Sequence, residues 1–565
     1  MFTRAVSARP RHVVVDIAVA VGVCVLLWLV IRIGSGALAP FSPADAPSAI
    51  DTDPAALPGY AGRSLLRMFA ALALSLLFTL VVGALAAKSA RAEKIIIPAL
   101  DILQSVPVLA YLSVTVTAFI ALFPGSALGL ESASVFAIFT SQAWNLTFAF
   151  YQSLVTQSAE LDEAARALRL TRWQRFWKLD VPGSMIPLVW NGMMSFGGGW
   201  FFLVQSEAIS VLNQKFALPG IGSYVAAASA EERTDLLLLA VGAMIIMVVA
   251  VNVLFWRPLT AWAQRFRIEL SESAAAPRSL LLDLLRRSRL PGLLGRGLRP
   301  VGEGIDRAAR VFGRTGAARP PRSRDASALL VVLVVVGSWL VADYVSATTG
   351  WAEVAHAAGL GLITLCRVLV VVVAASLLWV PIGVWIGMNP RVSRLAQPVV
   401  QVLASFPANF LFPFAAAVFA AWHVGLGWGG TLLMSLGAQW YVLFNAIAGA
   451  SAIPNDLREA ATNLRLSRWQ RWRFLVLPAI FPAYVTGALT AAGGAWNASI
   501  VAEVITYGPT RLEANGLGAY ITNATELGDM PRVFVGVVVM SAFVVGINRV
   551  FWRRLHRLSE HYAIQ

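Results

Sequence analysis

Two charged islands, set 296 residues apart, interrupt a chain that is otherwise strongly apolar. Residues 160–182 read ELDEAARALRLTRWQRFWKLDVP, and residues 456–478 read DLREAATNLRLSRWQRWRFLVLP. Glu163, Ala164 and Ala165 recur as Glu459, Ala460 and Ala461. Arg172, Trp173, Gln174 and Arg175 recur as Arg468, Trp469, Gln470 and Arg471, and Pro182 recurs as Pro478. Each island opens on acidic residues and runs into arginines, the order that suits a helix macrodipole. Pro454, Asn455 and Asp456 add cap chemistry to the second copy. The alanine pair thins one face, so another backbone or side chain can come close. The proline is expected to stop the helix before the next apolar run. A short amphipathic helix on a membrane surface fits both copies. A solvated loop could look like one of them, but duplication at fixed spacing argues against it.

Composition sets the class in which these islands sit. Hydrophobic residues make up 58% of the 565, charged residues only 13%, and the formal net charge is +15. With a mean hydropathy of +0.69, the balance is that of a multi-span helical membrane protein. Positive charge in such a chain marks cytoplasmic loops rather than nucleic-acid binding. No G-x-x-x-x-G-K-[ST] stretch occurs, so no P-loop binds ATP here. There is no H-E-x-x-H and no supported Ser/His/Asp or Cys/His arrangement. The five histidines are scattered, and Cys24 and Cys366 lie in apolar runs. Neither hydrolytic chemistry, nor a metal, nor a disulfide framework is expected.

At the islands the chain resembles the permease subunits of bacterial ABC importers, whose EAA loop has the pattern E-A-A, then Gly, then hydrophobic-x-hydrophobic-Pro. More closely, it is similar to the nitrate/sulfonate/taurine/bicarbonate permease family in a form with two permeases fused. The resemblance implies that Glu163, Ala164, Ala165, Arg169 and Arg172, with Glu459, Ala460, Ala461, Arg465 and Arg468, couple the chain to ATPase subunits. It implies two ATPase copies that bind the ATP and magnesium, no cofactor in this chain, and an external solute-binding protein. It places the chain in a bacterial inner membrane with both termini cytoplasmic. Both copies depart from the pattern in one way: the usual Gly is Arg169 and Arg465. That substitution predicts a more continuous helix, with an added cation facing the ATPase.

The elements that position the islands follow from hydropathy. Apolar runs at 13–31, 64–87, 95–123, 132–156, 185–207 and 234–256 are long enough to span. The 34–61 loop has aspartates and no Lys or Arg, so it is placed outside, while Lys88, Arg91 and Lys94 mark the cytoplasm. Pro98 and Pro107 are expected to kink the third span, and Phe255, Trp256 and Arg257 to anchor the sixth at the interface. From residue 327 the pattern repeats. Arg67, Pro98 and Pro107 match Arg367, Pro398 and Pro407 at an offset of 300; Trp144, Trp200, Glu207, Gly220 and Gly222 match Trp440, Trp496, Glu503, Gly516 and Gly518 at 296. The expected fold is all-α and polytopic, with about 12 transmembrane helices as two parallel six-helix repeats related by a pseudo-two-fold axis along the membrane normal. Residues 1–270 form the first repeat, 271–325 a basic cytoplasmic linker, and 326–565 the second. Within the linker, SLLLDLLRRSRL is either an interfacial helix on lipid headgroups or a flexible tether.

Polar residues inside the apolar runs are the remaining candidates. Gln142, Asn145, Asn191, Gln205, Asn445 and Asn497 either line a path or hydrogen-bond between helices. Glu207 and Glu503 sit at the depth of Arg67 and Arg367, about 20 residues of helix from the cytoplasmic edge. They are expected to pair as structural clamps near the outer edge; gate or substrate contacts, or snorkelling, are the alternatives. No Lys or Arg falls near the middle of a span, so an anion site built on fixed positive charge is not supported. The resemblance implies a small oxyanion or organic sulfonate as substrate. A 12-span secondary transporter of the major facilitator kind shares the two parallel halves. Its charged signature lies between the second and third spans, where this chain has only KSARAEK.

Overall fold

A computed structural model describes residues 50–211, 214–266, 280–288 and 325–560, with a few isolated positions in the first 24 residues and in the linker. The expected first span lies outside the described residues apart from isolated positions, as does most of the linker. Six helices among the described residues are long and apolar enough to cross a membrane: α1 (Pro54–Lys88), α9 (Thr234–Phe266), α12 (Trp351–Met388), α15 (Leu426–Ser451), α17 (Arg468–Ala502) and α19 (Met530–Ser559). A bent pair, α13 (Pro390–Ser405) and a helix over Ala408–Ala421, here α14, with 74° between them, is together long and apolar enough for a broken span or a re-entrant loop. The first repeat supplies α2 (Ala90–Ser105) with α3 (Leu112–Leu122), α4 (Leu128–Val155) and α7 (Met185–Glu207); α10 (Leu280–Arg287) lies in the linker, and α11 (Asp325–Thr348) opens the second repeat. The short island helices are α5 (Ala159–Ala167), α6 (Arg172–Arg175) and α16 (Asn455–Asn463). Each repeat also carries an antiparallel hairpin, β1 (Ala208–Val211) with β2 (Gln214–Ala217), and β3 (Val504–Tyr507) with β4 (Thr510–Glu513). A short helix follows each: α8 (Ile221–Ala230) and α18 (Leu517–Leu527).

The helix limits follow local chemistry. α1 begins ten residues before the expected span, because the Asp53 side chain accepts from the Ala55 amide and Pro54 opens the first turn. The α2 helix starts on a Ser89 cap and runs through Pro98; Pro398 likewise lies inside α13. Only the second proline of each span breaks it. Val106 and Phe406 are extended, and a 3₁₀ turn follows Pro107 and Pro407, as expected where the residue before proline leaves the α region. Pro478 does not stop its island helix, whereas the run through Pro182 ends at Gly183 and a turn at Ser184 separates it from α7. A π turn precedes each, over Phe176–Asp180 and Trp472–Val476, and the helix continues into Val181–Gly183 and into Leu477–Ala502. The wider turn accommodates the ring and the missing donor. Trp256 is not an interfacial anchor: it is buried, stacked edge-on against Phe196 and seated over Gly192, as Trp552 is buried in the second repeat.

The two repeats interlock. The 3₁₀ turn after Pro107 packs into the core of the second repeat, where Val108 and Leu109 join Trp496 and Met540. The corresponding turn of the second repeat sends Phe410 into the core of the first, which also holds Phe196 and Trp200. Two hydrogen bonds fix the exchange: the Val108 amide donates to Asn497 Oδ1 at 2.9 Å, and Asn409 Nδ2 donates to the Phe201 carbonyl at 3.2 Å. Each repeat thus completes the other's core, and the broken helix supplies the reach.

Candidate functional site

The islands differ from the expected continuous helix in a specific way. α5 ends at Ala167 and α16 at Asn463, and Arg169 and Arg465 take φ of 48° and 49°. The Leu170 amide donates to Ala165 O and the Arg169 amide to Arg166 O; Leu466 and Arg465 repeat this to Ala461 O and Thr462 O. This is a Schellman turn with arginine in the left-handed position that glycine fills without strain. The glycine pattern therefore survives as backbone geometry although the residue has changed. The next segment starts with a capping box in each copy, Thr171 with Gln174 and Ser467 with Gln470. That box was legible in sequence as T/S-x-x-Q, a signal the island's charge pattern obscured. Ala165 and Ala461 are buried, whereas Glu163, Ala164, Arg172 and their counterparts Glu459, Ala460 and Arg468 are exposed. Leu168 and Leu464, beside the two left-handed arginines, are each 73% exposed. The first island is tied down by Arg175, which pairs with Asp162 and Asp180, and by Lys88, which also pairs with Asp180. The second has Val476 where the first has Asp180, and is held instead by Arg458 Nη2 donating to Ala450 O at 2.8 Å.

At the far end of the bundle, Arg67 Nη1 meets Glu207 Oε1 at 2.7 Å and Arg367 Nη1 meets Glu503 Oε1 at 2.8 Å. Both carboxylates are fully buried. Ser64 Oγ donates to Glu207 Oε1 at 2.6 Å and Thr364 Oγ1 to Glu503 Oε1 at 2.8 Å. The other carboxylate oxygens take backbone amides from the first turns of α8 and α18, Gly222 at 2.7 Å and Ala519 at 3.1 Å. A carboxylate at a helix N-terminus, hydrogen-bonded on both oxygens and paired with arginine, meets the requirements for a buried charge. Gly220 and Gly516 are needed for this approach, since a Cβ at either position would overlap the carboxyl group. Ser64 and Thr364 stand at the same offset of 300 as the arginines, a readable signal that sequence reasoning passed over. Arg67 carries a second acid as well. Its Nε and Nη2 hold Glu131 in a bidentate pair at 2.6 and 2.7 Å. Gly427 occupies the matching position in the second repeat, so no repeat signal could reveal Glu131.

The polar candidates within spans divide by environment. Gln142 is fully buried between α4 and α7, where a Cβ at Gly199 would lie 2.9 Å from its Nε2. Asn191 and Asn445 donate to backbone carbonyls one turn back, Pro187 and Tyr441. Asn145 is exposed and donates to Ser195 Oγ at 2.8 Å. Gln205 is half-buried on α7. Asn497 joins the repeats through Val108.

Comparison with known proteins places two segments of the chain, residues 79–268 and 379–556, in a single family, described as the inner membrane component of binding-protein-dependent transport systems. Together they cover more than half of the chain. Over 185 residues the chain is 27% identical to the nitrate import permease protein NrtB of Leptolyngbya laminosa, covering 33% of this chain and 63% of that protein. Over 196 residues it is 28% identical to the taurine transport system permease protein TauC of Escherichia coli, covering 34% and 67%. Over 175 residues it is 26% identical to the bicarbonate transport system permease protein CmpB of Synechococcus elongatus, covering 31% and 60%. The chain spans about three fifths to two thirds of the length of these relatives.

Proposed function

We propose, from the premise that this chain belongs to the family of binding-protein-dependent transport system inner membrane components, that it forms both halves of the permease core of an ATP-driven importer. It is a transport subunit, not an enzyme. In this reading ATP and magnesium are bound by two separate ATPase subunits, one against each island, and a solute-binding protein delivers cargo to the opposite face. The chain sits in the inner membrane with both termini in the cytoplasm. The cargo is a small oxyanion or sulfonate, of the class named for the nitrate, taurine and bicarbonate relatives.

The observation that carries the reading is the duplicated island. Two copies with the same left-handed turn and the same capping box, 296 residues apart, suit a two-fold partner that needs two equivalent footholds. Glu163 and Glu459 are exposed on both, so their charge is available to that partner. Reversal of both, Glu163→Arg with Glu459→Arg, is expected to release the ATPase on co-purification or to leave its hydrolysis uncoupled from uptake. Full coupled uptake in that double variant would refute the assignment.

A further inference from the structure

We propose that Tyr441 closes the translocation path on the pseudo-two-fold axis and that its hydroxyl is a neutral hydrogen-bond donor to the passing anion. The proposal rests on the importer reading above and deepens it.

The path can be located from helix faces. Thr486, Thr490, Gly493 and Asn497 share one face of α17 by their spacing. Asn497 bonds to Val108 of the first repeat, so that face looks across at the other half. The counterpart face of α7 carries Trp190 and Gly197, and a Cβ at Gly197 would lie 2.8 Å from Ser405 Oγ of the second repeat. The two faces oppose each other along the seam between the repeats. On the island side of the seam the residues are open: Thr486, Thr490 and Asn145 are exposed, and Trp190 is 45% exposed. Beyond Gly493 the seam is shut by the Val108–Asn497 and Asn409–Phe201 hydrogen bonds.

Tyr441 stands where open meets shut. A Cβ at Gly198, on α7 of the first repeat, would lie 3.0 Å from its hydroxyl; a Cβ at Gly494, on α17 of the second, would lie 3.2 Å from its ring. One side chain thus wedges against both symmetry-related helices, and glycine on each is what admits it. A Cβ at the adjacent Gly493 would meet nothing within 4 Å, which leaves space beside the ring. A site on a two-fold axis cannot hold two such rings. The chain resolves this by carrying Asn145 at the position 296 residues earlier. Among the described residues, the Tyr441 hydroxyl makes no hydrogen bond. The hydroxyls of Thr486 and Thr490 are turned onto carbonyls of their own helix. Tyr441 therefore offers a free donor at the point of passage, in a seam with no lysine or arginine among the residues that line it. Neutral donors can replace part of an anion's hydration without trapping it, which suits a site that must also release.

The test uses the full chain assembled with its ATPase in liposomes, with nitrate and taurine as probes and the binding protein present for uptake. Tyr441→Ala should open an ATP-independent nitrate flux that the wild type lacks. Tyr441→Phe keeps the ring and should stay closed, but its uptake KM should rise about three- to tenfold, the worth of one hydrogen bond. A sealed Tyr441→Ala together with an unchanged KM in Tyr441→Phe overturns the proposal while leaving the importer reading intact. A wild-type complex that carries none of nitrate, taurine, bicarbonate and an alkanesulfonate with ATP overturns the importer reading itself, and the role of Tyr441 falls with it.

Discussion

Replacing Arg67 with methionine should damage the protein more than the matching replacement of Arg367, and the structure says by what margin. Arg67 is 3% exposed and neutralises two acids, Glu207, which is fully buried, and Glu131, which is 17% exposed. Arg367 is 12% exposed and neutralises Glu503 alone. Removing one partner of a buried pair typically costs about 3–5 kcal/mol, because the stranded charge keeps its desolvation penalty. Arg367→Met should fall in that range. Glu503 keeps its bonds from Thr364 and Ala519, which holds the cost toward the lower end. Arg67→Met strands a second carboxylate and should cost about 1–3 kcal/mol more. Neutralising the stranded acids should recover most of the loss, since a glutamine at 207 can turn its one oxygen to the Gly222 amide and donate its side-chain N–H to Ser64 Oγ. The assay is the thermal midpoint of the purified chain in detergent. The predicted order, from most to least stable, is wild type, Arg67→Met with Glu131→Gln and Glu207→Gln, Arg367→Met, and Arg67→Met alone. An Arg67→Met midpoint equal to that of the wild type, or above that of Arg367→Met, would refute the argument.

Two further predictions follow from backbone geometry. Arg169→Gly and Arg465→Gly should each raise stability by about 0.5–1 kcal/mol, because glycine removes the left-handed strain at the helix end; lower thermal midpoints would contradict the Schellman turn. Gly220→Ala and Gly516→Ala should each push a buried carboxylate off its amide donor, with a loss of about 2 kcal/mol or more, read as reduced yield of folded chain on size exclusion. Normal yield and an unchanged midpoint in both would show that the approach of Glu207 and Glu503 to those glycines is not required.

Local chemistry was readable from the residues, and most long-range geometry was not; the exception is the depth argument that set Arg67 beside Glu207 and Arg367 beside Glu503. The duplicated islands, the 296-residue offset and the polarity of each apolar run could be read along the chain, because periodicity and charge are properties of neighbours in sequence. The left-handed turn at Arg169 was hidden, since arginine gives no conformational cue of the kind glycine does. Prolines were informative only in context. Pro107 breaks its helix while Pro98 nine residues earlier does not, and Pro182 is accommodated by a π turn that no residue type announces. Trp256 shows the limit of a composition rule: beside an arginine at a span's end it suggested an interface, yet Gly192 opens a slot that buries it. The interlock of Val108 and Phe410 with the opposite repeats depends on contacts between segments hundreds of residues apart. Glu131 left no trace because its counterpart is glycine.

The central claim is that one chain supplies both halves of an importer core and both footholds for its motor. Native mass measurement of the complex purified with its ATPase tests this most directly. The account predicts one 60.6 kDa permease chain with two ATPase chains; two permease chains in the intact complex, or a single ATPase chain, would contradict it.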